Sequence, residues 1–192
     1  MHRLIAALPL LATVALATCN QPQSTQETAA KTGEVSLTNA SPSEVVKQAK
    51  AAGPAHFAPG EWETTMEITQ MELPGVPPQI RDQMKKAMMS TTKVAKTCMT
   101  REQAEKPEAG VLTGKTDSNC TYKNYTMANG RLDATLVCSG ERGMKMTQTI
   151  GGTFTETSFA LESAMDATGG PGGGMKMKAK TAGKRVGECK GS

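Results

Sequence analysis

Apolar and polar positions divide the chain into an apolar leader, a polar stretch and a long region of strand-like alternation. Leu4 to Leu16 is a run of 13 almost wholly apolar residues behind the basic start Met1-His2-Arg3. A spanning helix needs about 20 such residues, so the run predicts a secretory signal peptide over residues 1–18, not a retained anchor. From Glu61 to Gln70, Trp62, Thr64, Met66, Ile68 and Gln70 alternate with Glu61, Glu63, Thr65, Glu67 and Thr69. Period two predicts a half-buried strand with Trp62, Met66 and Ile68 on its inner, ligand-facing side. After Pro74-Gly75 and Pro77-Pro78, Ile80, Met84, Ala87 and Met88 recur at helical spacing opposite Arg81, Asp82, Lys85 and Lys86. This is an amphipathic helix of about three turns. Thr91 to Met99 returns to strand composition, and Thr100-Arg101-Glu102-Gln103 is a capping box opening a brief helix that Pro107 stops.

Two hairpins follow. A turn at Ala128-Asn129-Gly130 with three loop residues sets Met127 opposite Arg131 and Cys120 opposite Cys138. Opposed strand positions lie about 4.5–5.5 Å apart at Cα, within reach of a disulfide. Gly151-Gly152 reads as a two-residue turn, which puts Met144 opposite Phe159 and Met146 opposite Thr157. Beyond the loop Gly169–Gly174, Met175, Met177 and Ala179 point inward and Lys176, Lys178 and Lys180 outward. The fold class is therefore mainly all-β: a single antiparallel meander of six or seven strands, curled or barrel-like, lidded by the Ile80–Met88 helix and held by two disulfides.

The disulfide count comes from export. Cys19, Cys98, Cys120, Cys138 and Cys189 are five, and an oxidising compartment favours pairing. Leu16-Ala17-Thr18-Cys19 is similar to a lipobox, in which Cys19 becomes the lipidated mature N-terminus, although Thr18 fits poorly. Ala15-Leu16-Ala17 also forms an ordinary cleavage site, which gives a soluble periplasmic protein instead. Lipid on Cys19 leaves four thiols for two bridges, Cys120–Cys138 and, by elimination, Cys98–Cys189. Residues 19–55 form the lipidated end and a flexible linker, polar and without aromatic residues until its end, with one short helix near 42–52 behind the cap Ser41-Pro42-Ser43-Glu44. The stapled β domain spans 56–192.

Charge and composition remove several functions. A net charge of +4 over 192 residues, dispersed along the chain, is too weak to make a nucleic-acid or an anionic-membrane footprint the leading idea. His2 and His56 are the only histidines, too few for a Ser-His-Asp triad or a histidine-rich zinc site. Glu61, Glu63 and Glu67 share a strand face, and their wide spacing is that of a solvated surface, not of a catalytic carboxylate pair. The glycine loop lacks the Lys-Ser/Thr that a phosphate-binding loop requires. Methionine is the unusual feature, with 13 residues. Met144-x-Met146 and Met175-x-Met177 put paired thioethers on a strand face, the soft ligand set of Cu(I) or Ag(I). Adaptable core filling by the same residues is the reading their alternation favours.

The order Pro59-Gly60-Glu61-Trp62-Glu63, Cys98-Met99-Thr100, the Cys120 and Cys138 pair, the methionine-bearing glycine segments and Gly183-Lys184-Arg185-Val186-Gly187-Glu188-Cys189 resembles the family called domain of unknown function 3617, exported proteins of Gram-negative bacteria, over about residues 57 to 190. The resemblance implies a periplasmic or lipid-anchored, cysteine-stapled β domain and supplies no catalytic residue and no cofactor. The expectation is a non-enzymatic envelope lipoprotein, anchored on the periplasmic face of a bacterial membrane through Cys19. It binds an apolar small molecule or an envelope partner; the alternative is a Cu(I)/Ag(I)-binding protein using Met144, Met146, Met175 and Met177.

Overall fold

The computed structural model describes residues 25–53, 57–90, 92–105, 119–169 and 173–189. Cys19, the leader and His56 lie outside them. The elements in chain order are α1 (Gln26–Thr32), β1 (Val35–Ala40), α2 (Pro42–Ala51), β2 (Gly60–Glu72), α3 (Pro78–Met89), β3 (Lys93–Met99), α4 (Arg101–Glu105), β4 (Cys120–Ala128), β5 (Arg131–Ser139), β6 (Lys145–Phe154), β7 (Ser158–Thr168) and β8 (Met175–Gly187). The eight strands form one open, curled sheet in the order β1-β4-β5-β6-β7-β8-β2-β3, antiparallel throughout. It is thus mainly β and curled, as the sequence predicts, with one strand more than expected and with β1 and β3 at the two ends of the open sheet.

The additional strand comes from the expected tether. β1 pairs with β4 from Val35↔Met127 to Ala40↔Tyr122. Ala29, Val35, Leu37, Ala40 and Val45 are buried against Cys120, Tyr122, Tyr125, Met127, Leu132, Ala134 and Leu136. The segment is polar on average, but these five apolar residues join one core. α2 begins at the predicted cap, where the Ser41 hydroxyl accepts the Glu44 N–H at 3.2 Å.

Two turn assignments need correction. The β4–β5 turn has two residues, Asn129 and Gly130, both at positive φ (53° and 70°), the primed geometry whose twist suits a hairpin. Ala128 therefore opposes Arg131, and a bulge between Tyr122 and Asn124 restores Cys120↔Cys138. The misplaced turn and the missed bulge cancel at the cysteines. Gly151-Gly152 is not a turn. Both glycines lie inside β6, and the chain reverses at Thr155–Ser158, where the Thr155 hydroxyl accepts the N–H groups of Thr157 and Ser158 at 3.3 and 3.0 Å. Met146 consequently faces Ala167, not Thr157, and Phe159 faces Phe154.

The two predicted disulfides are present: Cys98–Cys189, with Cα atoms 5.4 Å apart, and Cys120–Cys138, at 4.0 Å. The predicted lid is not. β3 pairs with β2 only over Gly60–Met66, and α3 packs on β2, whose residues beyond Met66 β3 leaves unpaired. No residue of α3 is buried; Ile80, Met84 and Met88 are 53%, 39% and 41% exposed. Among the described residues no helix is long and apolar enough to cross a membrane.

Candidate functional site

Cross-strand partners share a face of the sheet, so the register sorts the side chains. One face carries the row Leu37, Tyr125, Ala134, Ile150, Ser163, Ala179 and Ile68. The next row runs Tyr122, Leu136, Gln148, Met165, Met177 and Met71. At the β1 end this apolar face is packed under α1 and α2. Tyr122 and Tyr125 meet edge-on there at 5.6 Å between ring centroids, and the Tyr125 hydroxyl donates to the Met127 sulfur at 3.9 Å. Burial raises both phenols above the ordinary tyrosine pKa, and Tyr125 is raised further by the neighbouring Tyr122.

Through the β6–β8 half of the face, Met146, Ile150, Leu161, Met165, Met175 and Met177 are only half-buried. The structure brings some of the predicted thioethers together. Met177 lies directly between Met165 and Met71, while Met146 and Met175 flank Ala167 in the adjoining row. Met144 does not join them: it precedes β6 and is 43% exposed. Met165 is absent from the predicted quartet, although it continues the parity of Phe159 and Leu161. Met71 is displaced from the alternation of β2 by the irregularity between Ile68 and Gln70.

The ligand-facing trio separates. Trp62 is 2% exposed, stacked on Phe159 at 6.0 Å and met edge-on by Phe57 at 5.3 Å, and its Nε1–H donates to the Ala58 carbonyl at 3.0 Å. It is a core anchor with no free ring face for a ligand. Met66 is 45% exposed and Ile68 half-buried. None of the three borders the shallow hollow of about 210 Å³ between β6, β7 and β8, which is lined mainly by Thr147, Thr149, Ala164, Asp166, Lys176 and Lys178.

The opposite face is charged and self-paired. Lys176 meets Asp166 at 3.1 Å, Lys180 meets Glu162 at 3.4 Å, and Glu63 lies between Lys96 and Lys184 at 3.7 and 3.5 Å. Lys176, Lys180 and Lys184 lie away from the ends of the sheet, because β8 sits between β7 and β2. Among the described residues no group of His, Cys, Asp and Glu is placed to hold a metal ion.

The most concentrated chemistry of the chain closes a corner. Arg185 donates from Nε to the Pro59 carbonyl at 2.7 Å and pairs with Glu188, while Cys189 is bonded to Cys98. Gly183 faces Phe159, whose ring would lie 2.2 Å from a Cβ at that position. Gly60 has φ +143°, and a Cβ there would lie 2.4 Å from the Gly187 carbonyl. The Pro59–Glu63 and Gly183–Cys189 segments are thus two halves of one clasp, and their roles are steric and covalent.

Residues 57–189 match the model of the family described as Protein of unknown function (DUF3617). No curated protein matches the chain, and no solved structure does. The match starts at Phe57 and so leaves α1, β1 and α2 outside it.

Proposed function

We propose that the chain, which belongs to the DUF3617 family, is a non-catalytic docking protein of the cell envelope, exported by its leader and anchored to the periplasmic face of a membrane through lipid on Cys19. One observation carries the reading: the apolar stripe Ile80, Met84 and Met88 of α3 is exposed while the other end of the molecule is packed beneath two helices. Apolar area left open in this way marks an interaction site, because burying it in a partner removes it from water. Surface docking fits better than enclosure of a small apolar molecule, since Trp62 is spent in the core.

The test uses the exported chain carrying Cys19→Ser, so that no lipid can hold it, mixed with isolated envelopes and sedimented. The parent is expected to sediment and Met84→Asp/Met88→Asp to remain in the supernatant. Equal sedimentation of the two, or none by either, refutes the reading.

A second reading is supported by the Met71, Met177 and Met165 row, three thioethers on adjacent strands suited to Cu(I) or Ag(I). Titration with Ag(I) is expected to show one equivalent bound by the parent and none by Met165→Leu/Met177→Leu. Unchanged binding in the variant removes this reading.

A further inference from the structure

The docking surface just described has a charge pattern that names its partner, and the inference rests on that reading. In α3, Ile80, Met84 and Met88 follow one another at i, i+4 and i+8 and form a single stripe, and all three are exposed. Arg81 and Lys85, one turn apart and half-buried, flank the stripe instead of opposing it, Lys86 lies on the far side of the helix, and Lys93 opens β3 just beyond it. Asp82 is the one acid of the helix, and its Oδ1 lies 3.7 Å from Arg81 Nε.

A helix with a narrow apolar stripe, low overall hydrophobicity and cations beside the stripe lies flat in a lipid interface, side chains down and ammonium groups among the headgroups. Long lysine and arginine side chains reach the headgroup level while their methylene stems cover apolar surface. A protein groove would reward shape complementarity from rigid aromatic or branched anchors, whereas two of the three stripe residues here are methionines, flexible and unspecific. We infer that α3 is a membrane-contact helix that seats the domain on an anionic phospholipid surface, its apolar stripe entering the acyl boundary and the flanking Arg81 and Lys85 reaching the phosphates.

The exported chain carrying Cys19→Ser is sedimented with phosphatidylcholine vesicles, with and without phosphatidylglycerol. Binding is expected only with phosphatidylglycerol and is expected to fall as salt is raised through the range that screens surface charge. Arg81→Gln/Lys85→Gln is expected to weaken it on the order of 25-fold, at roughly fivefold per cation near an anionic surface. Met84→Asp is expected to abolish it; because α3 has no buried residue, neither variant should alter the circular dichroism of the fold. Binding that ignores both substitutions, or absence of binding to protein-free vesicles, overturns the inference. If the chain sediments with native envelopes but not with the lipid vesicles, docking stands and the partner is a protein. Self-association on a sizing column that Met84→Asp removes would overturn the inference in favour of a second copy of the chain.

Discussion

Tyr125 and Gly183 show what single residues do in a chain whose aromatic content is 3%. With so few rings, each is placed by contacts that tolerate little change. Gly183 is the gap into which Phe159 lies, and Phe159 in turn stacks on Trp62. Tyr125 is fully buried, and its phenol is held neutral by that burial. Its folded-state pKa is raised above the ordinary 10.0, so the native state holds the proton more tightly than the unfolded chain. Its contribution is complete below pH 10 and is lost as pH climbs toward the folded value. Tyr125→Phe, which cannot ionise, is therefore expected to flatten the alkaline fall in stability. Urea midpoints of parent and variant, compared at neutral pH and above pH 10, check this; parallel curves count against it.

At the scale of elements, the sequence was legible wherever one period ran without interruption. α3, α4 and the last strand follow their periodicity, and the reciprocal capping box of α4 is formed, with Thr100 N–H to Gln103 at 2.9 Å and Gln103 N–H to Thr100 at 3.2 Å. The misread registers had a visible cause. In β4 the buried residues are Cys120 and Tyr122, then Tyr125 and Met127, a change of parity that requires an extra residue between them. β2 repeats the device where Trp62, Thr64, Met66 and Ile68 give way to Met71. β1 was missed because average polarity hid Val35, Leu37 and Ala40, which have no alternation long enough to stand alone. The strand exists because β4 offers an edge and α2 folds back over it. Truncation to residues 57–189 is accordingly expected to cost stability beyond the loss of a tether, as is Leu37→Ala, by about 2–5 kcal/mol for a buried leucine. Coincident urea midpoints for the truncated and full chains would return residues 25–53 to the role of a linker.

For the whole molecule, what sequence could not supply was which apolar faces stay open. Periodicity places Ile80, Met84 and Met88 on one side of a helix, but whether that side meets the sheet depends on where α3 sits, and it packs on β2 with none of its residues buried. The two disulfides set the overall restraint. They close loops of 91 and 18 residues by sequence separation. On the chain-entropy account they contribute on the order of 4.5 and 3 kcal/mol. Cys98→Ala/Cys189→Ala is expected to lower the urea midpoint more than Cys120→Ala/Cys138→Ala does, and to leave β3 amides open to hydrogen exchange. The reverse order would show that the long bridge merely decorates a corner already closed by Arg185 and Glu188.

The strand order also dictates a timetable. β4 to β8 meet their partners as neighbours in sequence, but β2 has to wait for β8, and Cys98 for a thiol 91 positions later. A chain threaded amino end first through a translocation pore would hold the β2–β3 hairpin idle, with half its backbone groups unmatched, until nearly the entire polypeptide had emerged. If the chain is exported as proposed, oxidant would therefore be needed late in that passage, and a stalled intermediate should carry the short crosslink without the long one.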